Sequence, residues 1–269
     1  MTEEEQMLTA VLNCRQVDLY VQQPVLTEQQ RQRLNRMKIR RENGEPLQYV
    51  LGETSFMGFD FKVDPRVLIP RPETELLGEA VLKILHSENQ AGRDWTICDL
   101  GTGSGSIAVS LAVLCPQARV TAVDISTDAL SVAQANAARH QVTERVHFVP
   151  KDMIEFLNTA CRWYPPFDMI ISNPPYVATA DLEKLPVDVR QEPQLALDGG
   201  PQGTKFHRAI IQVASSCLKA GGHLFLEIGD GQAVGLADFW RAQEGWKNIQ
   251  FINDYTGTAR IATGERQTH

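Results

Sequence analysis

The apolar positions of this chain change rhythm near residue 95. Before that point the spacing is mostly helical. Leu8, Val11 and Leu12 recur at i, i+3 and i+4, one face of a helix. Thr27-Glu28-Gln29-Gln30 has the form of a capping box and predicts a helix running to about Asn43, with Gly44 at its end. Phe59, Phe61 and Val63 then alternate with polar residues. With Thr54 to Met57 and a bend at Gly58, this predicts a β-hairpin. The segment Leu68-Ile69-Pro70-Arg71-Pro72-Glu73-Thr74-Glu75 is stiffened by its prolines. Pro72 suits the first turn of a following helix, and Glu73 and Glu75 suit its N-terminal end. Leu76, Leu77, Ala80, Val81, Ile84 and Leu85 form that helix's buried stripe.

From Trp95 onward, short apolar runs alternate with helical patterns. Strands are expected at 96–100, 119–124, 146–149, 167–172 and 222–228, with weaker ones near 248–252 and 259–263. Helices are expected at about 106–114, 127–140, 204–219 and 231–243. Such alternation is what a mostly parallel sheet requires, so the fold class is α/β. The stretch between Tyr176 and Thr204 breaks the rhythm. A loop that long in a compact domain is usually functional or disordered, and because it borders Asn173-Pro174-Pro175-Tyr176 it reads as a substrate-facing lid.

Two motifs carry the chemistry. Asn173-Pro174-Pro175-Tyr176 ends the strand at 167–172. Its prolines fix two φ angles and remove two backbone donors. An Asn amide, bare carbonyls and one aromatic ring remain, with no nucleophile, metal ligand or strong base. Such a set suits a planar, weakly nucleophilic nitrogen whose two protons must be held. Earlier, Ile97-Cys98-Asp99-Leu100-Gly101-Thr102-Gly103-Ser104-Gly105 runs from strand to glycine turn, and a helical pattern follows. Ser106 stands where a dinucleotide motif needs its third glycine, which weakens a pyrophosphate reading. Asp124, at the end of the next strand, is placed to accept from ribose hydroxyls. Either motif alone could be an ordinary loop stop. Together, each at the carboxyl end of a strand, they define one ligand crevice.

Composition narrows the classes. A chain of 269 residues accommodates one large domain and a small one. A net charge of −7 counts against a stand-alone nucleic-acid-binding enzyme. Cys14, Cys98, Cys115, Cys161 and Cys217 are scattered without a C-x-x-C pair, and the histidines lack metal-ligand spacing, so no metal is expected. No apolar run approaches membrane-span length and the acidic N-terminus is not a signal peptide, which makes the cytoplasm the expected compartment. Arg31, Arg33, Arg36, Lys38, Arg40 and Arg41 read as a solvated helix face in preference to a docking surface.

These motifs resemble those of the class I S-adenosylmethionine-dependent methyltransferases. More closely, the chain resembles the PrmC/HemK family, which methylates the glutamine side-chain amide in the Gly-Gly-Gln motif of peptide chain release factors. The likeness rests on Ile69 to Glu75, Asp99 to Gly105, Asn173 to Tyr176, Arg190 with Glu192-Pro193, Ala196 to Gly200, Leu226 to Gly229, and Asp254 with Arg260. The segment before Arg71 is shorter than the family's, as if a first helix were missing, and Met153 stands where an aromatic is common.

The resemblance implies a Rossmann-like methyltransferase with a mostly parallel seven-stranded sheet. It also implies a helical substrate-docking domain at 1–53, a β-hairpin linker at 54–70 and the methyltransferase domain at 71–269. Gly101, Thr102, Gly103, Ser104 and Gly105 would line the S-adenosyl-L-methionine, Asp124 would hold its ribose, and Asp152 and Met153 its adenine. Asn173 and Pro174 would accept the substrate amide protons and Tyr176 would pack on the amide plane, with Asn173 also bordering the cofactor. Pro175, Arg71 and Glu73 would complete the substrate side. The implied partners are class I release factors, with no membrane and no direct nucleic acid. Three alternatives remain: glutamine methylation of a ribosomal protein, N-methylation of an exocyclic amine in DNA or RNA, and a non-catalytic cofactor-binding module.

Overall fold

The computed structural model describes residues 1–22, 25–87 and 93–267. Its first part holds α1 (Glu3–Leu12), α2 (Gln16–Gln22), α3 (Glu28–Glu42) and α4 (Leu47–Leu51). Capping boxes open α1 at Thr2 with Glu5 and α3 at Thr27 with Gln30, satisfying backbone donors that the first turns leave free. Met7, Val11, Leu34, Met37, Leu47 and Val50 close a small core of their own. The sequence pattern missed α2 and α4. With 7 and 5 residues, neither repeats a 3.6-residue stripe often enough to show one.

The hairpin is β1 (Glu53–Phe56) and β2 (Phe59–Lys62), antiparallel, turned by Met57 and Gly58. Both turn residues have positive φ, as a type I′ turn demands. Val63, Val67 and Ile69, separated by a turn at Pro65 and Arg66, pack with Tyr49 against Ala129 and Val132.

Thereafter come α5 (Pro72–Ser87), β3 (Trp95–Leu100), α6 (Ser106–Leu114), β4 (Ala118–Asp124), α7 (Thr127–Arg139), β5 (Val146–Pro150), α8 (Met153–Trp163) and β6 (Phe167–Ser172). After a stretch with three short 3-10 turns, α9 (Lys205–Cys217), β7 (Leu218–Glu227), α10 (Ala233–Arg241), β8 (Trp246–Asn253) and β9 (Ala259–Arg266) complete the chain. The seven strands stand in the order β5-β4-β3-β6-β7-β9-β8. The first five are parallel, and β9 runs antiparallel to both its neighbours. β6 is buried at every position, as expected of a strand covered on both faces. One face is closed by Leu77, Val81 and Leu85 of α5 with Ile107 to Ala112 of α6. The other is closed by Phe156, Leu157 and Ala160 of α8, Ile210, Ile211 and Ala214 of α9, and Leu236 and Trp240 of α10. The α8 helix was not anticipated, although Asp152 as its N-cap and that apolar triplet were readable signals.

From β3 the chain winds outward through β4 to β5, then returns to place β6 on the other side of β3. Loops leaving β3 and β6 therefore diverge, and a crevice opens at the strands' carboxyl ends. Leu100 pairs with Ser172 in register, so Gly101 and Asn173 emerge side by side.

Candidate active site

A cleft of about 820 Å³, including the solvent-open space at its mouth, fills this crevice. Gly101, Gly103, Asp124, Asp152, Met153, Asn173 and Pro175 all line it, so residues far apart in sequence meet at one place. Ile125, Leu195 and Phe206 add apolar walls that the motifs did not point to. Thr102, Ser104 and Gly105 turn inward and support the loop from behind. Thr102 donates to buried Asp99 (2.7 Å), and the Ser104 carbonyl accepts from buried Asn136 (2.8 Å). Gly105 has φ +78°, and a Cβ there would lie 2.9 Å from Ala133 of α7. It performs the close packing that a third glycine performs in dinucleotide folds, one position before Ser106. Asn136 also clasps Lys62 through both its N–H and its C=O, tying the hairpin to the glycine loop.

The loop's charge is acidic. Asp124 accepts from the N–H of Gly103 (2.8 Å) and of Ser126 (2.9 Å). Burial raises its pKa, and those backbone donors partly offset the rise. Each oxygen keeps a lone pair for a further donor. Asp152 caps α8 with Oδ1 alone, leaving Oδ2 available at the cleft. Asp124→Ala is expected to weaken S-adenosylmethionine binding by roughly 1.5–3 kcal/mol, through a lost charge-assisted bond and a looser Gly103. Unchanged calorimetric affinity in a folded variant would remove Asp124 from the site.

Asp99 sits deeper, fully buried, with Oδ1 unpartnered. Burial pushes its pKa up to about 7. The folded state therefore holds this proton more tightly than the unfolded chain, and stability is lost as pH rises from the usual aspartate range through about 7. Asp99→Asn removes that loss. Its stability gain over wild type in urea melts of the ligand-free protein is expected to be larger at pH 8 than at pH 5 by ~2 kcal/mol. Equal gains at both pH values would show that Asp99 does not titrate there.

Around Asn173 the polar contacts run away from the cleft. Asn173 Nδ2 donates to Thr74 Oγ1 (3.1 Å) at the start of α5. The Tyr176 hydroxyl donates to Glu227 Oε1 (3.2 Å) at the end of β7. Glu227 is buried, which pushes its pKa up to about 7, and the neighbouring Thr74 and Tyr176 hydroxyls pull it back toward the carboxylate. Burial and the Glu227 charge raise the Tyr176 phenol, so it stays protonated as a donor. Gln232 holds the backbone of this corner, donating to the carbonyls of Tyr176 (2.9 Å) and Gly203 (3.1 Å). Neither Thr74 nor Glu227 was singled out as a site residue, although each lay inside a quoted segment.

The stretch after Tyr176 folds back over the cleft. Val177 donates to Leu197 O, Gly199 donates to Val177 O, and Pro193, Leu195 and Ala196 line the cavity. Buried Glu192 fastens this stretch, accepting from Ile69 N (3.0 Å) and from the Arg71 guanidinium. Arg71 thus clamps the loop to the proline segment. Glu73 is exposed on the first turn of α5, where its charge faces Glu227 and Arg260.

The donor set suits S-adenosylmethionine. Glycine amides and open backbone lie beside two carboxylates for a diol and an amine, flanked by the apolar surfaces of Met153 and Ile125. Among the described residues no cluster could hold a metal ion, and no helix is long and apolar enough to cross a membrane.

Solved structures share the fold. A methyltransferase from Pyrococcus furiosus superposes with TM-score 0.54 at 16% identity, over 90% of this chain and 100% of that one. The hMettl16 catalytic domain gives 0.58 at 14% identity, over 90% and 83%. Residues 2–52 match the family described as PrmC N-terminal domain, and residues 78–188 that described as Methyltransferase small domain. Fold and cleft together define a class I S-adenosylmethionine-dependent methyltransferase. Among relatives, the release factor glutamine methyltransferase of Moorella thermoacetica is 46% identical over 85% of this chain and 77% of its own length. That of Koribacter versatilis is 39% identical over 98% and 90%. The chain belongs to the release factor glutamine methyltransferase family.

Proposed function

We propose that this protein transfers the methyl group of S-adenosylmethionine to the glutamine side-chain nitrogen in the Gly-Gly-Gln motif of class I peptide chain release factors, in the cytoplasm. The observation that carries this reading is Asn173 at the mouth of the cleft. Its NH2 is anchored to Thr74, so its carbonyl oxygen is left to accept from a planar NH2 group. Family membership points to the same substrate.

Bound S-adenosylmethionine supplies an electrophilic sulfonium methyl. Gly101 and Gly103 would admit it close to the backbone, Asp124 would accept from its ribose hydroxyls, Asp152 would accept from the adenine amine, and Met153 would pack beside the ring. An amide nitrogen is a poor nucleophile because its lone pair is delocalised. Asn173 Oδ1 and the Pro174 carbonyl each accept one of its protons, which fixes its direction and stabilises the positive charge that develops on it. Tyr176 packs on the amide plane; the nitrogen gains the methyl as the S–C bond breaks and S-adenosylhomocysteine leaves, and the nitrogen's surplus proton passes to solvent.

An exocyclic amine of a nucleic acid presents the same NH2 geometry. A net charge of −7 counts against that substrate. On α3, Lys38, Arg40 and Arg41 are already paired with Glu4, Glu45 and Glu3. Incubation with labelled S-adenosylmethionine and, separately, purified release factor, ribosomal protein and nucleic acid tests the assignment. Label on the Gly-Gly-Gln glutamine, located by mass spectrometry, is the expected result. Label only on ribosomal protein or nucleic acid would replace it.

A further inference from the structure

Asn173 reads its substrate through an amide whose two ends have opposite hydrogen-bonding character, and something must decide which end faces the cleft. Glu227 sits behind it, on β7. Burial holds the Glu227 pKa near 7, so above that pH it is ionised, and an ionised carboxylate only accepts. The Tyr176 hydroxyl gives its proton to Oε1 (3.2 Å), while Oε2 is buried without a close partner, with the Thr74 hydroxyl near enough to favour the ionised form. A hydroxyl has one proton. If Thr74 turns that proton toward Glu227, it presents only lone pairs to Asn173, and the 3.1 Å contact is then made by the Asn173 NH2. The carbonyl is left for the substrate. An uncharged partner at 227 could instead donate to Thr74, which would turn its proton to Asn173 and leave an NH2 facing the substrate NH2.

We propose that Glu227 and Thr74 are positioning residues that set the polarity of the Asn173 amide, with Glu227 also holding the Tyr176 ring through its hydroxyl. This rests on the amide-methylation reading above. Other charges facing Glu227 are Glu73 from α5 and Arg260 from β9, the latter paired with Asp254 (2.9 Å). From α9, His207 meets the Glu227 backbone carbonyl (2.8 Å), and burial, which lowers its pKa to about 4, keeps it neutral.

Single-turnover methylation of a purified release factor at saturating S-adenosylmethionine and pH 8.5, where Glu227 is ionised, tests the relay. Wild-type activity on that substrate is required first, and its absence refutes the substrate reading instead of the relay. Thr74→Val keeps the shape and removes the hydroxyl. It is expected to slow transfer by about tenfold or more, with KM and cofactor affinity within about twofold. Thr74→Ser restores the hydroxyl and is expected to recover the rate to within about threefold of wild type. Glu227→Gln keeps the volume, can donate to Thr74, and is expected to slow transfer by about tenfold. In an Asn173→Ala background, adding Thr74→Val is expected to cost nothing further, because its effect passes through Asn173. A wild-type rate in Thr74→Val or Glu227→Gln, no recovery in Thr74→Ser, or an additive loss on top of Asn173→Ala would each overturn the proposal.

Discussion

Asn173→Ala is expected to lower the single-turnover rate of methyl transfer by about 10²–10³, the usual effect of removing one preorganised polar partner of a transition state. Cofactor affinity is expected to stay within about threefold, because an interaction realised mainly in the transition state appears in kcat more than in KM. The side chain is half-buried and its one hydrogen bond is to Thr74, so its loss leaves β6 and its register with β3 intact. Asn173→Asp is the sharper variant. Its carboxylate accepts the same amide protons and attracts the developing positive charge, but it places its one negative charge both beside the sulfonium and near Glu227. Activity between the Ala variant and wild type is expected. If Asn173→Ala turns over a release factor at the wild-type rate, Asn173 is structural and the substrate assignment loses its main physical support.

Legibility in the sequence followed the range of each interaction. The parallel strands could be read because burial on both faces demands continuous apolar runs, as at Phe167 to Ser172. Asn173-Pro174-Pro175-Tyr176 could be read because its meaning lies in the covalent structure of four adjacent residues. Thr27 and Gln30 could be read because a capping box is local. The α8 helix carried readable signals, the Asp152 N-cap and the Phe156, Leu157 and Ala160 stripe, but they fell between two expected strands.

The contacts behind the site lie beyond any such pattern. Asn173 and Thr74 are separated by 99 residues, Tyr176 and Glu227 by 51, and Arg71 and Glu192 by 121. No periodicity encodes these pairs. They exist because the switch from β3 to β6 brings α5, the corner after β6 and the end of β7 to one point. Motif reading also grouped Thr102, Ser104 and Gly105 with Gly101 and Gly103. A loop that reverses direction must turn some residues inward, and a string of letters does not say which.

Arg71→Ala is expected to release the loop over the cleft. The Glu192 carboxylate is 1% exposed and has two donors, the Ile69 amide and the Arg71 guanidinium. Removing one partner of a buried pair costs about 3–5 kcal/mol, because the remaining charge stays desolvated. Glu192 avoids that cost by moving into water, and residues 177–203 move with it. Its bonds joining Val177 to Leu197 and Gly199, and Thr179 to Gly200, lie within the stretch itself, and Gln191 to Asn43 and Gln232 to Gly203 tie it outward, so opening is local, not global. Hydrogen exchange at Ile69, whose amide donates to Glu192, is expected to lose most of its protection while β3 and β6 keep theirs. Cofactor affinity is expected to fall by about tenfold, since Pro193, Leu195 and Ala196 wall the cleft. Glu192→Gln is expected to be milder, because a neutral amide still accepts from Ile69 and leaves no buried charge. Arg71→Lys is expected to fall between them, keeping the charge without the planar fork. If Arg71→Ala leaves exchange at Ile69 unchanged and raises only KM for the release factor, Arg71 touches the substrate directly, and something other than this ion pair holds the loop closed.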